Sequence, residues 1–168
     1  MHAASPEQWY VFYCSSRAEK KVEGLLRRAG YTVYLPLLAT LRQWSDRKKW
    51  VDVPLLPGYL FVWAPETQIG AICATPGVVG VLRLAGRPGY LRAEEVETLK
   101  RLIASGYSLE MLPQEILPGK TVLVDDGPLR GLKGICMGEA GNRYFYVWIE
   151  TLDQIVKAKI PAGALRTV

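Results

Sequence analysis

Leu55-Leu56-Pro57-Gly58-Tyr59-Leu60-Phe61-Val62-Trp63 carries the strongest indication of the fold in this chain. Its second half alternates as a β-strand does, so aromatic and aliphatic side chains point to opposite faces of a sheet. The aromatic face carries Tyr59, Phe61 and Trp63. Both faces are apolar, although a strand of a small domain commonly turns a polar face to water. The second face must therefore meet a partner or more of the same protein, and burial on both sides without a functional role remains open.

The composition is that of a globular protein. The chain has 168 residues, of which 49% are hydrophobic and 22% charged, which is enough for a real core in one domain or two small ones. No stretch approaches the roughly 18 consecutive apolar residues of a membrane span. Residues 1–8 lack the basic start and apolar core of a secretory signal. The sequence therefore predicts a cytoplasmic protein without a membrane partner.

The cysteines and the histidine exclude several kinds of site. Cys14, Cys73 and Cys136 are odd in number and far apart, which argues against a disulfide framework and offers no metal-binding spacing. The only histidine, His2, lies beside the terminus, so a Ser-His or Cys-His nucleophile and a His-ligated metal are excluded from the folded part. We therefore expect no catalytic residue, metal or cofactor, and interpret the cysteines as buried small hydrophobes.

The surplus of positive charge lies in the first two thirds of the chain. Residues 1–104 carry 14 Lys or Arg against 9 Asp or Glu, whereas residues 105–168 carry 7 of each. The first part thus accounts for the whole net charge of +5. Such a local basic excess suits a polyanionic partner, although surface lysines are also common for solubility alone.

The hydrophobic periodicity of residues 9–105 predicts an α+β unit. Strands are expected at 9–15, 31–38, 49–63 and 78–84, helices at 17–29, 66–74 and 92–105, and a hairpin arm around the polar connection 42–48. The order β-α-β-β-α-β with an added helix is the ferredoxin-like plan. In that plan the helices cover one face of the sheet, so the aromatic face is expected to be the open one.

From about residue 105 the pattern changes. Residues 106–117 are interpreted as a linker, with Gly106 and Pro113. Short strands are then expected at 121–124, 132–137, 144–150, 155–160 and 165–168, separated by turn residues such as Gly127 and Pro128. The sequence thus predicts a small five-stranded SH3-like β-barrel over 118–168, behind a ferredoxin-like domain over 8–105.

Two sets of motifs resemble the NusG family. Residues 118–134, which begin Pro118-Gly119-Lys120 and end Lys133-Gly134, look like a KOW motif. Trp9-Tyr10-Val11, the run 54–62 and Thr75-Pro76-Gly77-Val78-Val79 resemble, in the same order, the NGN domain of that family. The resemblance covers residues 8–168. The compact run after the first helix is more similar to the specialised RfaH and UpxY paralogues than to the general factor.

The resemblance implies a monomeric, non-catalytic factor for transcription elongation and antitermination. The residues that it assigns to the clamp helices of the RNA polymerase β′ subunit are Leu56, Pro57, Tyr59 and Phe61. It assigns the segment 69–75, which ends in Thr75, to the gate loop of the β subunit. Gly70-Ala71-Ile72-Cys73 lacks the threonine-rich run that RfaH has there. Whether the protein contacts Rho stays open.

The first predicted helix has a basic flank and an acidic flank on either side of its apolar stripe. The acidic flank holds Glu19 and Glu23. By resemblance to the specialised paralogues, single-stranded non-template DNA is the implied partner of the basic flank, with a salt-dependent affinity. The residues implied in that contact are Arg17, Lys20, Lys21 and Arg28. A merely solvated helix face remains the alternative.

An RNA-binding protein is the alternative function. The RNA-recognition fold has the same order of elements and stacks bases on the aromatic residues of its sheet. Residues 57–64 fit only part of its third-strand pattern, because Leu60 is bulky and Ala64 stands at an aromatic position. An enzyme has no support, since the sequence pairs no nucleophile with a base.

The second domain is expected to be a barrel in the free protein, and not a helical hairpin of the kind known for RfaH. The run 144–149 is aromatic and β-branched, which favours strands. The glycines between 127 and 141, with Pro128, disfavour a helix. By resemblance, the barrel is expected to bind ribosomal protein uS10 through loop residues near Leu129 and Ile149.

Overall fold

The computed structural model describes residues 5–113, 119–139 and 142–167. Its contacts divide the chain into two compact units, one up to Ala93 and one from Glu94. The predicted domain limits of 8–105, 106–117 and 118–168 place the boundary later, after the third helix, and remain a prediction. The fold mixes strands and helices, with strands in the majority.

The first unit is built on one antiparallel sheet. Its helices are α1 (Glu19–Arg28) and α2 (Ile69–Cys73), and a 3-10 turn, Glu66–Gln68, precedes α2. Its strands are β1 (Glu7–Cys14), β2 (Thr32–Tyr34), β3 (Leu37–Gln43), β4 (Lys48–Pro54), β5 (Tyr59–Pro65), β6 (Val78–Val81), β7 (Arg83–Leu84), β8 (Arg87–Pro88) and β9 (Tyr90–Leu91). The main sheet has the order β2-β5-β1-β6, and β9 also pairs with β1.

One face of this sheet packs against the helices and forms the core of the unit. Alternate side chains of β1 and β5 meet the apolar stripe of α1 there, because Val22 and Leu26 are one helical turn apart. The fully buried members of this cluster are Phe12, Val22, Leu26, Leu60, Val62 and Ile72. Gly30, with φ of 95°, ends α1 in the left-handed conformation that suits glycine.

Three of the predicted strands are each split in the structure, and one of them, 78–84, forms β6 and β7. The segment 31–38 forms β2 and the start of β3, and the segment 49–63 forms β4 and β5. Proline lacks the N–H that a strand ladder needs, so Pro36 and Pro57 interrupt the pairing. The hairpin arm is confirmed, because β3 and β4 pair with each other from Leu37 and Pro54 outward. The first helix begins at Glu19 and not at residue 17.

The second unit consists of α3 (Ala93–Ala104) and a six-stranded antiparallel sheet. Its strands are β10 (Leu109–Pro113), β11 (Lys120–Val124), β12 (Lys133–Glu139), β13 (Asn142–Ile149), β14 (Gln154–Lys159) and β15 (Leu165–Thr167), in the order β10-β14-β13-β12-β11-β15. Buried Glu95 of α3 accepts hydrogen bonds from the N–H and hydroxyl of Thr151, at 3.2 and 2.7 Å. Arg101 of α3 donates to the carbonyl oxygens of Pro128 and Arg130.

The sheet of the second unit has one strand more than predicted. Strand β10 lies inside the predicted linker and pairs with β14 along its whole length. Gly106 and Pro113 are residues typical of a linker, but residues 107–112 between them contain neither glycine nor proline. After Ser105, the described residues form strands and 3-10 turns and no helical hairpin. No helix in the described ranges is both long and apolar enough to cross a membrane.

Candidate functional site

Three segments that each contain a residue assigned to a partner by the sequence analysis meet at one end of the main sheet. They are the loop 55–58, the turn 75–77 and the entry to α1. The N–H of Cys14 donates to the carbonyl of Gly58 at 2.8 Å, and the next N–H, that of Ser15, donates to the carbonyl of Gly77 at 2.9 Å. The end of β1 therefore ties both loops together beside the start of α1.

Glu19 anchors the loop 55–58 from the helix side. Its side chain is 6% exposed, and its Oε1 accepts a hydrogen bond from the N–H of Gly58 at 2.9 Å. Gly58 has φ of 85°, which glycine adopts without strain, and the N–H of Tyr59 donates to the carbonyl of Leu56 at 3.1 Å. The loop is thus a tight turn whose central peptide groups are held on both sides. Sequence analysis missed this role, because an acidic residue in a first helical turn commonly serves the helix dipole alone.

The turn 75–77 lies directly against α1. Gly77 has φ of 94°, and a Cβ atom there would lie 2.8 Å from Cγ2 of Val22. The N–H of Val78 donates to the carbonyl of Thr75 at 3.1 Å, which closes the turn. Thr75 is therefore held beside α1 by a turn that leaves no room for a side chain at position 77.

The residues predicted to bind the polymerase clamp differ in exposure. Pro57 is exposed and Tyr59 is half-buried, whereas Leu56 is 3% and Phe61 0% exposed. The ring of Tyr59 lies 5.1 Å from that of Tyr13, which is also half-buried. The apolar surface that this end offers to a partner is therefore Pro57 with the Tyr13–Tyr59 pair. Leu56 and Phe61 belong to the packing beneath it.

The prediction that the aromatic face is open is wrong at its centre. Val11 and Phe61 are each fully buried, and the ring of Tyr34 stacks on that of Phe61 with centroids 6.1 Å apart. Solvent reaches the margin of this face, where Trp63 lies 5.5 Å from Trp9. Bases cannot stack along a strand whose central ring is covered, which counts against the RNA-recognition alternative.

The basic residues predicted to contact DNA are all exposed, namely Arg17, Lys20, Lys21 and Arg28. Arg17 lies before α1 and not within it, with φ of 63°, a conformation that is uncommon for residues other than glycine. Arg27 is engaged within the fold, because it donates to the carbonyl of Val33 at 2.7 Å and pairs with Glu23 at 3.6 Å. The four predicted basic side chains are therefore accessible to a partner, whereas that of Arg27 takes part in the packing of α1.

The predicted partner residues of the second unit are both buried. Leu129 and Ile149 lie in its core, whereas their neighbours Arg130 and Trp148 are exposed. A partner at this place would touch those neighbours, while Leu129 and Ile149 hold the loops in position.

The described cysteines are free thiols, of which Cys14 is buried and the other two are half-buried. Burial raises the pKa of the Cys14 thiol to about 11, and the carboxylate of Glu19 adds to the effect. Burial also raises the pKa of Cys73, against the opposing charge of Arg83. Among the described residues, no group of three or more His, Cys, Asp or Glu side chains could hold a metal ion.

We expect Cys14 to react with a thiol reagent more slowly than Cys136 in the native protein at pH 8. Only the thiolate attacks, and a buried thiol with a pKa of about 11 is protonated there. This pKa lies above the unfolded value of about 8.5. The protonated Cys14 thiol therefore contributes fully to the free energy of unfolding below a pH of about 8.5, and this contribution is lost as the pH rises towards 11. Mass spectrometry of timed alkylation measures the rates, and equal labelling of the two cysteines would contradict the expectation.

Residues 7–100 match the family model described as NusG, transcription termination factor nusG, a span of more than half of the chain. A solved structure titled "Domain interaction in Thermotoga maritima NusG" is similar over 96% of this chain and 97% of that chain, with a TM-score of 0.57 and 20% identity. A structure titled "Crystal Structure of MjSpt4:Spt5 complex conformation B" covers 95% of each chain, but its TM-score is 0.33 at 16% identity. The first likeness bears on the fold alone, and the second is too low to carry an argument.

Proposed function

The chain belongs to the NusG family of transcription factors, and we propose that it is an elongation and antitermination factor that binds RNA polymerase through its first unit. One observation carries the proposal. The loop 55–58, the turn 75–77 and the entry to α1 meet at one end of the sheet and are joined there by hydrogen bonds. The loop contains two of the residues that the family resemblance assigns to the clamp helices. The turn begins at Thr75, the last residue of the segment assigned to the gate loop, and the entry to α1 holds Arg17, one of the residues assigned to the non-template strand.

The proposed clamp contact uses the exposed apolar surface of Pro57, Tyr59 and Tyr13. Covering apolar surface contributes about 25 cal/mol per Å², so burying two half-exposed rings and a proline supplies roughly a few kcal/mol. Leu56 and Phe61 are buried beneath that surface and support it from the interior. Thr75, at the closed turn beside α1, is the proposed point of contact with the gate loop.

The proposed DNA contact lies on the exposed basic flank of α1, from Arg17 before the helix to Arg28 at its last residue. Replacing Arg17, Lys21 and Arg28 together by Gln is expected to weaken binding to non-template DNA in a reconstituted elongation complex. The slope of log affinity against log salt should fall by about 0.7 for each phosphate that is no longer neutralised. A matched variant that removes the exposed Lys120, Lys133 and Lys159 of the second unit is expected to leave the slope unchanged. An unchanged slope in the α1 variant would remove this flank from the proposal.

The overall arrangement is proposed to be a ferredoxin-like NGN domain followed by an SH3-like KOW domain. The strand order β2-β5-β1-β6, in which β1 and β5 are central, supports the first part. The short antiparallel strands from β10 to β15 support the second. Ribosomal protein uS10 is the proposed partner of the second unit, through Arg130 and Trp148, and membership of the specialised RfaH and UpxY group is proposed from the compact run after α1.

The experiment that tests the proposal uses purified bacterial RNA polymerase on a DNA and RNA scaffold with a defined pause site. The full chain is expected to bind the elongation complex and to shorten the pause. Tyr13→Ala with Tyr59→Ala should abolish both effects while the circular dichroism spectrum stays that of the wild type. Binding to free RNA without binding to the polymerase would overturn the proposal and favour an RNA-binding protein.

A further inference from the structure

The hairpin β3–β4 projects an exposed aromatic and basic tip that the proposed function does not use. We call residues 37–54 the ribbon. Its two strands pair only with each other among the described residues, and the turn is closed by the N–H of Trp44, which donates to the carbonyl of Arg47 at 2.8 Å. Trp50 is 66% exposed, Leu41 47% and Trp44 46%. Large apolar side chains that are exposed together commonly mark a binding surface.

The charges of the ribbon are placed at the same tip. Arg42 lies directly opposite Lys49 in the register, and like charges in that position destabilise a strand pair. Arg47 lies over the ring of Trp44, with its Cζ 6.0 Å from the ring centroid. In the part of the chain that the structure describes, no carboxylate lies within 4.0 Å of these three cations or of Lys48. Within the described residues these cations therefore form no ion pair. They remain available to an anionic partner, which would relieve the repulsion between Arg42 and Lys49.

The alternation of the strands distributes these groups over two faces. Trp50 and Leu41 form one cross-strand pair, and Lys48 precedes Trp50 by two residues on the same face. Arg42 and Lys49 form the neighbouring pair, on the opposite face. Positive charge is thus present on both faces of the ribbon. A membrane-surface element instead needs one continuous apolar face and one polar face, so this pattern does not fit insertion into a bilayer.

We propose that the ribbon binds an unpaired strand of DNA. Its bases stack on the rings of Trp50 and Trp44, and its phosphates contact Lys48, on the same face as Trp50, and Arg47, which lies over Trp44. Unpaired bases can stack on exposed aromatic rings, because every base has a free π-face once it leaves the duplex. The choice of DNA over RNA rests on the proposed function, because the basic flank of α1 in the same unit is the proposed site of the non-template strand.

The first test measures binding of the full chain to a fluorescent oligothymidine by anisotropy. Trp44→Ala with Trp50→Ala is expected to weaken binding by at least tenfold, given the usual contribution of a stacked base. Arg47→Gln with Lys48→Gln should also lower the salt slope by roughly 0.7 for each phosphate left without its cation. Two matched controls are expected to bind as the wild type does: Tyr90→Ala, an exposed aromatic residue of β9, and Arg83→Gln with Arg87→Gln, an exposed pair on β7 and β8.

The competing occupants give different results in the same assay. Equal affinity of the wild type and the double tryptophan variant, with both folded by circular dichroism, would overturn the proposal. Tighter binding to an oligouridine than to the oligothymidine, or binding to vesicles of anionic lipid with none to oligothymidine, would also overturn it. The test is independent of the polymerase: a chain that binds oligothymidine through the ribbon but not the elongation complex keeps this inference and loses the proposed function. A chain that binds the elongation complex but does not bind oligothymidine through the ribbon keeps the proposed function and loses only this inference.

Discussion

Replacing Phe61 by alanine is expected to lower the free energy of unfolding by about 3–5 kcal/mol, the usual cost of deleting a fully buried ring. Phe61 is 0% exposed and stacks with Tyr34, so the cavity would be lined on every side. Replacing the half-buried Tyr59 should cost far less stability and should abolish polymerase binding. The two residues are neighbours on one face of β5, yet the structure predicts opposite outcomes for them.

Chemical denaturation followed by circular dichroism measures the first effect, and binding to a reconstituted elongation complex measures the second. The stability of the Tyr59 variant is the control for its loss of binding. If Phe61→Ala were as stable as the wild type, the aromatic face would be open at its centre after all. If Tyr59→Ala bound the polymerase normally, the clamp contact would lie elsewhere on the unit.

Replacing Glu19 by alanine is expected to have the second largest effect. Its Oε1 accepts the N–H of Gly58 from a buried position, and the loss of a hydrogen bond to a charged group costs about 1.5–3 kcal/mol. The loop 55–58 would lose one of its anchors, so polymerase affinity should fall together with stability. Glu19 is a positioning residue in this account, because it holds the turn that presents Pro57 and Tyr59.

Glu23→Ala is the matched control in the same helix. Glu23 pairs with exposed Arg27 at 3.6 Å across one helical turn, a kind of ion pair that contributes only about 0.3–0.5 kcal/mol. We therefore expect a small loss of stability and unchanged polymerase binding for this variant. Denaturation curves and binding isotherms of the two variants decide the matter. A Glu19 variant that behaves as the Glu23 variant does would show that the loop holds its shape without the carboxylate.

Local sequence patterns predicted most of the secondary structure of the first unit. The stripe of α1, the strand β5 and the hairpin arm follow from spacing alone, because helices and strands have fixed periods. Two of the errors came from proline: the segments 31–38 and 49–63 each have the pattern of one apolar strand, but Pro36 and Pro57 interrupt their ladders. In the second unit, the local sequence predicts a linker at β10, because the strand forms through its pairing with β14 and not through its own composition.

Several features follow from the amino-acid sequence alone: the alternation of β5, the turn at Pro57 and Gly58, the basic flank of α1 and the order of the family motifs. Which of these side chains a partner can reach depends on the tertiary structure. Alternation assigns a residue to a face, but its exposure depends on what packs against that face. Phe61 is therefore buried while Tyr59 is not. In the same way, Glu19 and Gly58 are 39 residues apart, and a hydrogen bond over that separation forms only once the folded chain brings the two groups together.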